Sequence, residues 1–121
     1  MAKASARHIL VDDKSSCEAL KSRIEAGEDF AAIAREFRPE TRVVFAESPG
    51  SLTFEVQDIP AITAAAHAHG AKVVLDNTWA TPLGFRSFDH GVDVSVHAAT
   101  KYIGGQSDVL LGLILANEST Y

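Results

Sequence analysis

Two short apolar runs near the middle of the chain limit its folding options more than any other feature. Val73-Val74-Leu75-Asp76 and Val92 to His97 are rich in β-branched residues and far too short for helices. Runs of this kind suit strands that are covered on both faces, as the strands of a parallel sheet are. The connection between them, residues 77–91, contains Trp79, Pro82, Gly84 and Gly91. It reads as a long loop with one helical turn near Phe85 to Phe88.

The remaining segments fit around that pair. Ala6 to Val11 reads as a first strand, stopped by Asp12-Asp13. Ser15-Ser16-Cys17-Glu18 has the spacing of a capping box, so a helix is expected from about Ser15, with Cys17, Leu20 and Ile24 on its apolar face. Gly27 suits its end, and Asp29 suits the start of a second helix presenting Phe30, Ile33, Ala34 and Phe37. Arg38-Pro39-Glu40-Thr41 is the clear break in the chain, because a residue before proline avoids the helical region. Arg42 to Ala46 reads as a strand and Glu47 to Ser51 as a loop. Asp58 and Pro60 mark a helix running through Ile59, Ile62, Ala65 and Ala66 to Gly70. Strands follow over Lys72 to Asp76, Val92 to Ala98 and Val109 to Asn117. The order predicts an α/β fold of three layers, with a mainly parallel sheet of about five strands and helices on its faces. The last strand is expected to be antiparallel, since no helix precedes it. One composite domain over 1–121 is the expected organisation.

Composition narrows the function classes. A formal net charge of −5 argues against a nucleic-acid surface, which depends on clustered Lys and Arg. No apolar run approaches the roughly 20 residues of a membrane helix, and the N-terminus does not read as a signal peptide. A cytoplasmic protein is the expectation. Cys17 is the single cysteine, so no internal disulfide forms, and it reads as an ordinary thiol.

The chemistry concentrates in Val73 to Asp108. Asp76 ends one strand run, and Lys101 follows the next, just after Thr100 and just before Tyr102 and Gly104-Gly105. An acid and a lysine so placed suit pyridoxal 5'-phosphate, whose aldehyde takes a Schiff base from the lysine while a carboxylate keeps the pyridinium nitrogen protonated. The plainer alternative is a surface salt bridge of little net value. Histidines offer less. His8 reads as a strand residue, and His67 and His69, two apart, fall on different helix faces. With His90 and His97 they complete no zinc set, so no metal is expected. Trp79 reads as a loop anchor rather than a cover for ligand, and Ala64 to Ala68 as helix propensity.

From about Arg42 to Glu118 the chain resembles the large domain of fold-type-I pyridoxal-phosphate enzymes of cysteine and methionine metabolism, most closely the cystathionine β-lyase group. The resembling runs are VVFAESPGSLTFEVQDIPAI, AHAHGAKVVLDNTWATP and HGVDVSVHAATKYIGGQSDVLLG. The resemblance implies Lys101 as the Schiff-base lysine, Asp76 as the acid pairing with the pyridine nitrogen, and Thr100 as a hydroxyl that helps hold the cofactor phosphate. Ala98 stands where many relatives have serine, and Gln106 where they often have histidine. From about Ala2 to Phe37 the runs ARHILVDD and SSCEALKSRIEAGEDFAAIAREF resemble the start of a parvulin-type peptidyl-prolyl isomerase, with His8 matching an active-site histidine.

Two resemblances meeting at residues 38–41 lead to the expectation of a chimera. In that reading the strand at Ala6 to Val11 replaces one strand of the lyase-like sheet. The family's phosphate loop, stacking tyrosine and C-terminal domain are not recognised in the chain. The expected function is a chimeric or truncated relative of a carbon–sulfur lyase that lacks full catalysis and retains weak pyridoxal-phosphate binding through Lys101. The alternatives are a remnant prolyl isomerase and a non-catalytic scaffold. No nucleic-acid or membrane partner is expected, whereas a homo-oligomer or domain-swapped dimer is.

Overall fold

Helix α1 (Ile59–Ala68) shows how closely local chemistry sets the elements. Asp58 stands at its N-cap, and its carboxylate accepts a hydrogen bond from the Ala61 amide at 3.0 Å. Pro60 lies in the first turn, where its missing N–H costs nothing. At the far end the amides of His69, Gly70 and Ala71 turn back onto the carbonyls of Ala66 and His67. Gly70 makes that turn at a φ of 72°, a conformation that side chains disfavour.

The structure is a computed structural model that describes residues 37–52 and 54–121. The strand expected over Ala6 to Val11, the helices expected from Ser15 and Asp29, and His8 lie outside the described residues. Four strands are described: β1 (Val43–Glu47), β2 (Lys72–Asp76), β3 (Val94–His97) and β4 (Leu113–Ala116). They form one sheet in the order β1-β2-β3-β4, parallel across the first two pairs and antiparallel across the last. The α/β fold with an antiparallel final strand therefore stands as the sequence implied.

Register explains the core. Val44 lies opposite Val73, and Ala46 opposite Leu75, so these four project from one face. Ile59, Ile62 and Ala66 of α1 close over them, with Ala71 and Val92 at the margin. Burying each Val, Leu or Ile here contributes roughly 1.5–3 kcal/mol. Among the described residues no helix covers the opposite face, so the third layer of the expected architecture is not seen among them.

Some boundaries differ from the sequence reading, for identifiable reasons. β1 runs one residue later than Arg42 to Ala46. β3 begins at Val94 rather than Val92, because the Asp93 carboxylate itself takes the Val73 amide at 2.8 Å. β4 is confined to Leu113–Ala116 rather than Val109 to Asn117. The Leu111 carbonyl is instead engaged by the Thr100 amide at 3.0 Å, which commits that segment to the turn after β3. In the connection after β2 the expected single turn is two: α2 (Thr81–Gly84) and a 3-10 turn over Ser87–His90.

The amino ends of β2 and β3 are joined through Asp93, which is 2% exposed. Its Oδ2 accepts from His67 Nε2 at 2.8 Å and from the Val73 amide. Its Oδ1 accepts from Lys72 Nζ at 2.9 Å and from Thr120 Oγ1 at 3.3 Å. One carboxylate thus ties α1, both strands and the C-terminal segment together.

Candidate functional site

The opposite, carboxyl end of the sheet carries the residues with chemistry. Open α/β sheets bind ligands at this end, where the loops leave the strands. Asp76 is the last residue of β2 and is half-buried. Its Oδ1 accepts two hydrogen bonds from Thr78, one from the amide at 3.0 Å and one from the hydroxyl at 2.5 Å. Among the described residues no donor reaches its Oδ2, which is left as a free acceptor.

Thr78 is itself buried, and its hydroxyl oxygen also accepts the Ala98 amide at 2.8 Å. Ala98 directly follows β3, and its carbonyl accepts the Lys101 amide at 3.0 Å. A continuous path therefore runs from the Asp76 carboxylate through Thr78 and Ala98 to the backbone of Lys101. The loop after β2 is braced further by Asn77, whose Nδ2 donates to the Phe85 carbonyl at 2.9 Å and whose amide donates to the Val96 carbonyl.

Lys101 sits in a tight turn and is exposed. The Gly104 amide donates to the Ala99 carbonyl at 2.6 Å, and the Gly105 amide to the Lys101 carbonyl at 3.1 Å. A Cβ on Gly104 would lie 2.9 Å from the Ala99 carbonyl oxygen, so the closeness of the turn depends on glycine there. Thr100 is half-buried at the start of this turn, and its hydroxyl is unengaged among the described residues. No ion pair joins Lys101 to Asp76; the surface salt bridge weighed from the sequence does not form. The two are brought to the same end of neighbouring strands with their reactive groups free.

Three aromatic rings bridge the loops at this end. Phe54 meets Trp79 edge-on at 4.8 Å between centroids, and Trp79 meets Tyr102 at 5.5 Å. They come from the segments following β1, β2 and β3, so Trp79 does anchor its loop. It is also 38% exposed, which leaves part of the ring facing outward.

The four described histidines are occupied elsewhere. His67 serves Asp93, His69 Nδ1 donates to the Ala65 carbonyl at 3.0 Å, His90 stacks on Phe85, and His97 Nε2 lies 3.0 Å from Ser95 Oγ. Among the described residues no three His, Cys, Asp or Glu side chains gather as a metal set would require. Likewise, no helix among them is long and apolar enough to cross a membrane.

Sequence reasoning did not single out Thr78 or Asp93. For Asp93 there was a signal, an acid between Val92 and Val94 in an otherwise apolar run. For Thr78 there was none, because its role depends on a residue twenty positions away.

The donor set fits the cofactor that the resemblance implied. A carboxylate with one oxygen fixed and one free suits a protonated ring nitrogen. An exposed amine suits covalent attachment to an aldehyde. The unengaged Thr100 hydroxyl suits a phosphate oxygen.

Comparisons with known proteins agree. The family model for Cys/Met metabolism PLP-dependent enzymes matches residues 8–121. That span crosses residues 38–41 and takes in 8–37, so the change of family expected at the junction is not seen in it, and the parvulin-type reading gains no support. A Rhizobium johnstonii relative, named provisionally as a cystathionine beta-lyase, is 62% identical over 87 residues, which is 72% of this chain and 22% of the relative. The cystathionine beta-lyase of Escherichia coli is 47% identical over 89 residues, again 72% of this chain and 22% of its own. The chain thus spans about a fifth of the length of either relative. The crystal structure of cystathionine gamma-lyase from Lactobacillus plantarum, complexed with L-serine, aligns with a TM-score of 0.71 and 36% identity. That alignment covers 75% of this chain and 24% of the other.

Proposed function

Because the chain belongs to the Cys/Met metabolism family of pyridoxal-phosphate-dependent enzymes, we propose that Asp76, Thr100 and Lys101 form the cofactor-anchoring centre of a carbon–sulfur lyase of the cystathionine beta-lyase kind. The observation behind this is the free Asp76 Oδ2 at the end of one parallel strand, tied by hydrogen bonds to the lysine turn after the next.

Each side chain has a definable part. Lys101 would hold the cofactor covalently, because an exposed amine is the nucleophile that an aldehyde takes. Asp76 Oδ2 would accept a hydrogen bond from the ring nitrogen and balance its positive charge. Thr100 would donate its hydroxyl to the phosphate. When bound, the cofactor supplies the electron sink that lets a bond beside an amino-acid α-carbon break. Sulfur-containing amino acids are the substrate class, on the strength of what the relatives are named for.

Titration of the full chain with pyridoxal 5'-phosphate tests this reading. The expected result is a visible absorption band that saturates with cofactor and is abolished in Lys101→Ala. A wild-type chain giving no band at millimolar cofactor would remove the reading.

A further inference from the structure

Asp76 ends β2 and Lys101 lies in the turn after β3, and nothing in their own side chains sets the distance between them. Thr78 does. Its hydroxyl has one hydrogen and spends it on Asp76 Oδ1 at 2.5 Å, while its oxygen accepts the Ala98 amide at 2.8 Å. The Thr78 amide adds a second bond to the same Oδ1 at 3.0 Å. With Oδ1 held twice, the carboxylate cannot rotate freely, and Oδ2 is the oxygen left for a ligand. The Ala98 peptide passes the restraint on, since its carbonyl accepts the Lys101 amide at 3.0 Å.

We propose that Thr78 is a positioning residue. It orients the Asp76 carboxylate toward the ring nitrogen and holds it in register with the Lys101 turn. This rests on the pyridoxal-phosphate reading above. The residue type matters as well as the place. Serine would keep the hydroxyl that bridges the two strand ends. Valine would keep the shape, while leaving the Ala98 amide and Asp76 Oδ1 each short of one partner.

The test compares wild type, Thr78→Val and Thr78→Ser by two readouts. In the cofactor-free chain, amide hydrogen exchange at Ala98 is measured relative to Leu75, so that a general loss of stability is divided out. Exchange at Ala98 is expected to rise about tenfold in Thr78→Val, the usual scale for losing one buried hydrogen bond, and to stay within about twofold in Thr78→Ser. In the cofactor titration, the Thr78→Val dissociation constant is expected to rise about tenfold with a displaced absorption maximum, and Thr78→Ser to restore both.

Unchanged Ala98 exchange in Thr78→Val would overturn the bridging role whether or not cofactor binds. Unchanged affinity and spectrum in Thr78→Val, with wild type binding normally, would overturn the positioning role alone. A wild-type chain without any band would remove the cofactor reading and, with it, the group that Thr78 is proposed to align.

Discussion

Replacing Asp93 with alanine is expected to lower the unfolding free energy by about 3 kcal/mol, read by urea denaturation at neutral pH. Burial alone would push this carboxyl upward. The hydrogen bonds from His67, the Val73 amide and Lys72, together with the charge on His67, outweigh it and lower its pKa from 3.8 to about 2. Alanine removes the acceptor for all of them. His67 and Lys72 are about half exposed at 43% and 48% and can return to water. The Val73 amide is buried and cannot, so its stranding is a large part of the cost.

The same lowering fixes the acid dependence. A carboxyl with a folded pKa below its unfolded one contributes stability above the unfolded value and loses it as pH falls through the folded value. The contribution is therefore complete above pH 3.8 and fades toward pH 2. It amounts to about 2 kcal/mol for a shift of this size. Asp93→Asn, which cannot titrate, is expected to lack this part of the pH dependence. If its stability curve ran parallel to wild type between pH 4 and pH 2, the assignment to Asp93 would be wrong.

The second large effect is at the other end of the sheet. Asp76→Ala is expected to weaken pyridoxal-phosphate binding on the order of a hundredfold, equivalent to about 3 kcal/mol, while costing the fold less than Asp93→Ala does. The asymmetry follows from the surroundings. Asp93 is enclosed and fully partnered by the fold, whereas Asp76 is half-buried with one oxygen waiting for a ligand. Asp76→Asn separates charge from geometry, because the amide oxygen can still accept from Thr78. The asparagine variant is expected to bind more weakly than wild type and more tightly than the alanine variant. Equal affinities in wild type and Asp76→Ala, measured by absorbance titration, would mean that the ring nitrogen is not held there.

Much of this was legible in the order of residues. β2 was bounded correctly at Lys72 and Asp76 because an apolar β-branched run ends on an acid. Helix α1 was legible because Asp58, Pro60 and Gly70 are local punctuation. The placement of Asp76 and Lys101 at one end of the sheet followed from strand direction alone. What stayed hidden was produced by contacts between distant positions. The shortening of β3 depends on the Asp93 side chain competing for a strand amide, and that of β4 on Leu111 serving the lysine turn. The Phe54–Trp79–Tyr102 cluster joins three loops that share no periodicity. The parvulin-like wording of residues 2–37 is a different case. It rested on local similarity within residues that the structure does not describe, and the family match extends across most of them.

Pyridoxal phosphate also reacts with ordinary surface amines, so a visible band by itself does not say which nitrogen is attached. The chain has five lysines: Lys3, Lys14, Lys21, Lys72 and Lys101. Borohydride reduction at low cofactor, followed by peptide mass mapping, identifies the attached one. The label is expected on Lys101, with Lys72 unlabelled because its amine is engaged by Asp93. Label spread evenly over the lysines, or absent from Lys101, would contradict the proposal that this turn is the anchor.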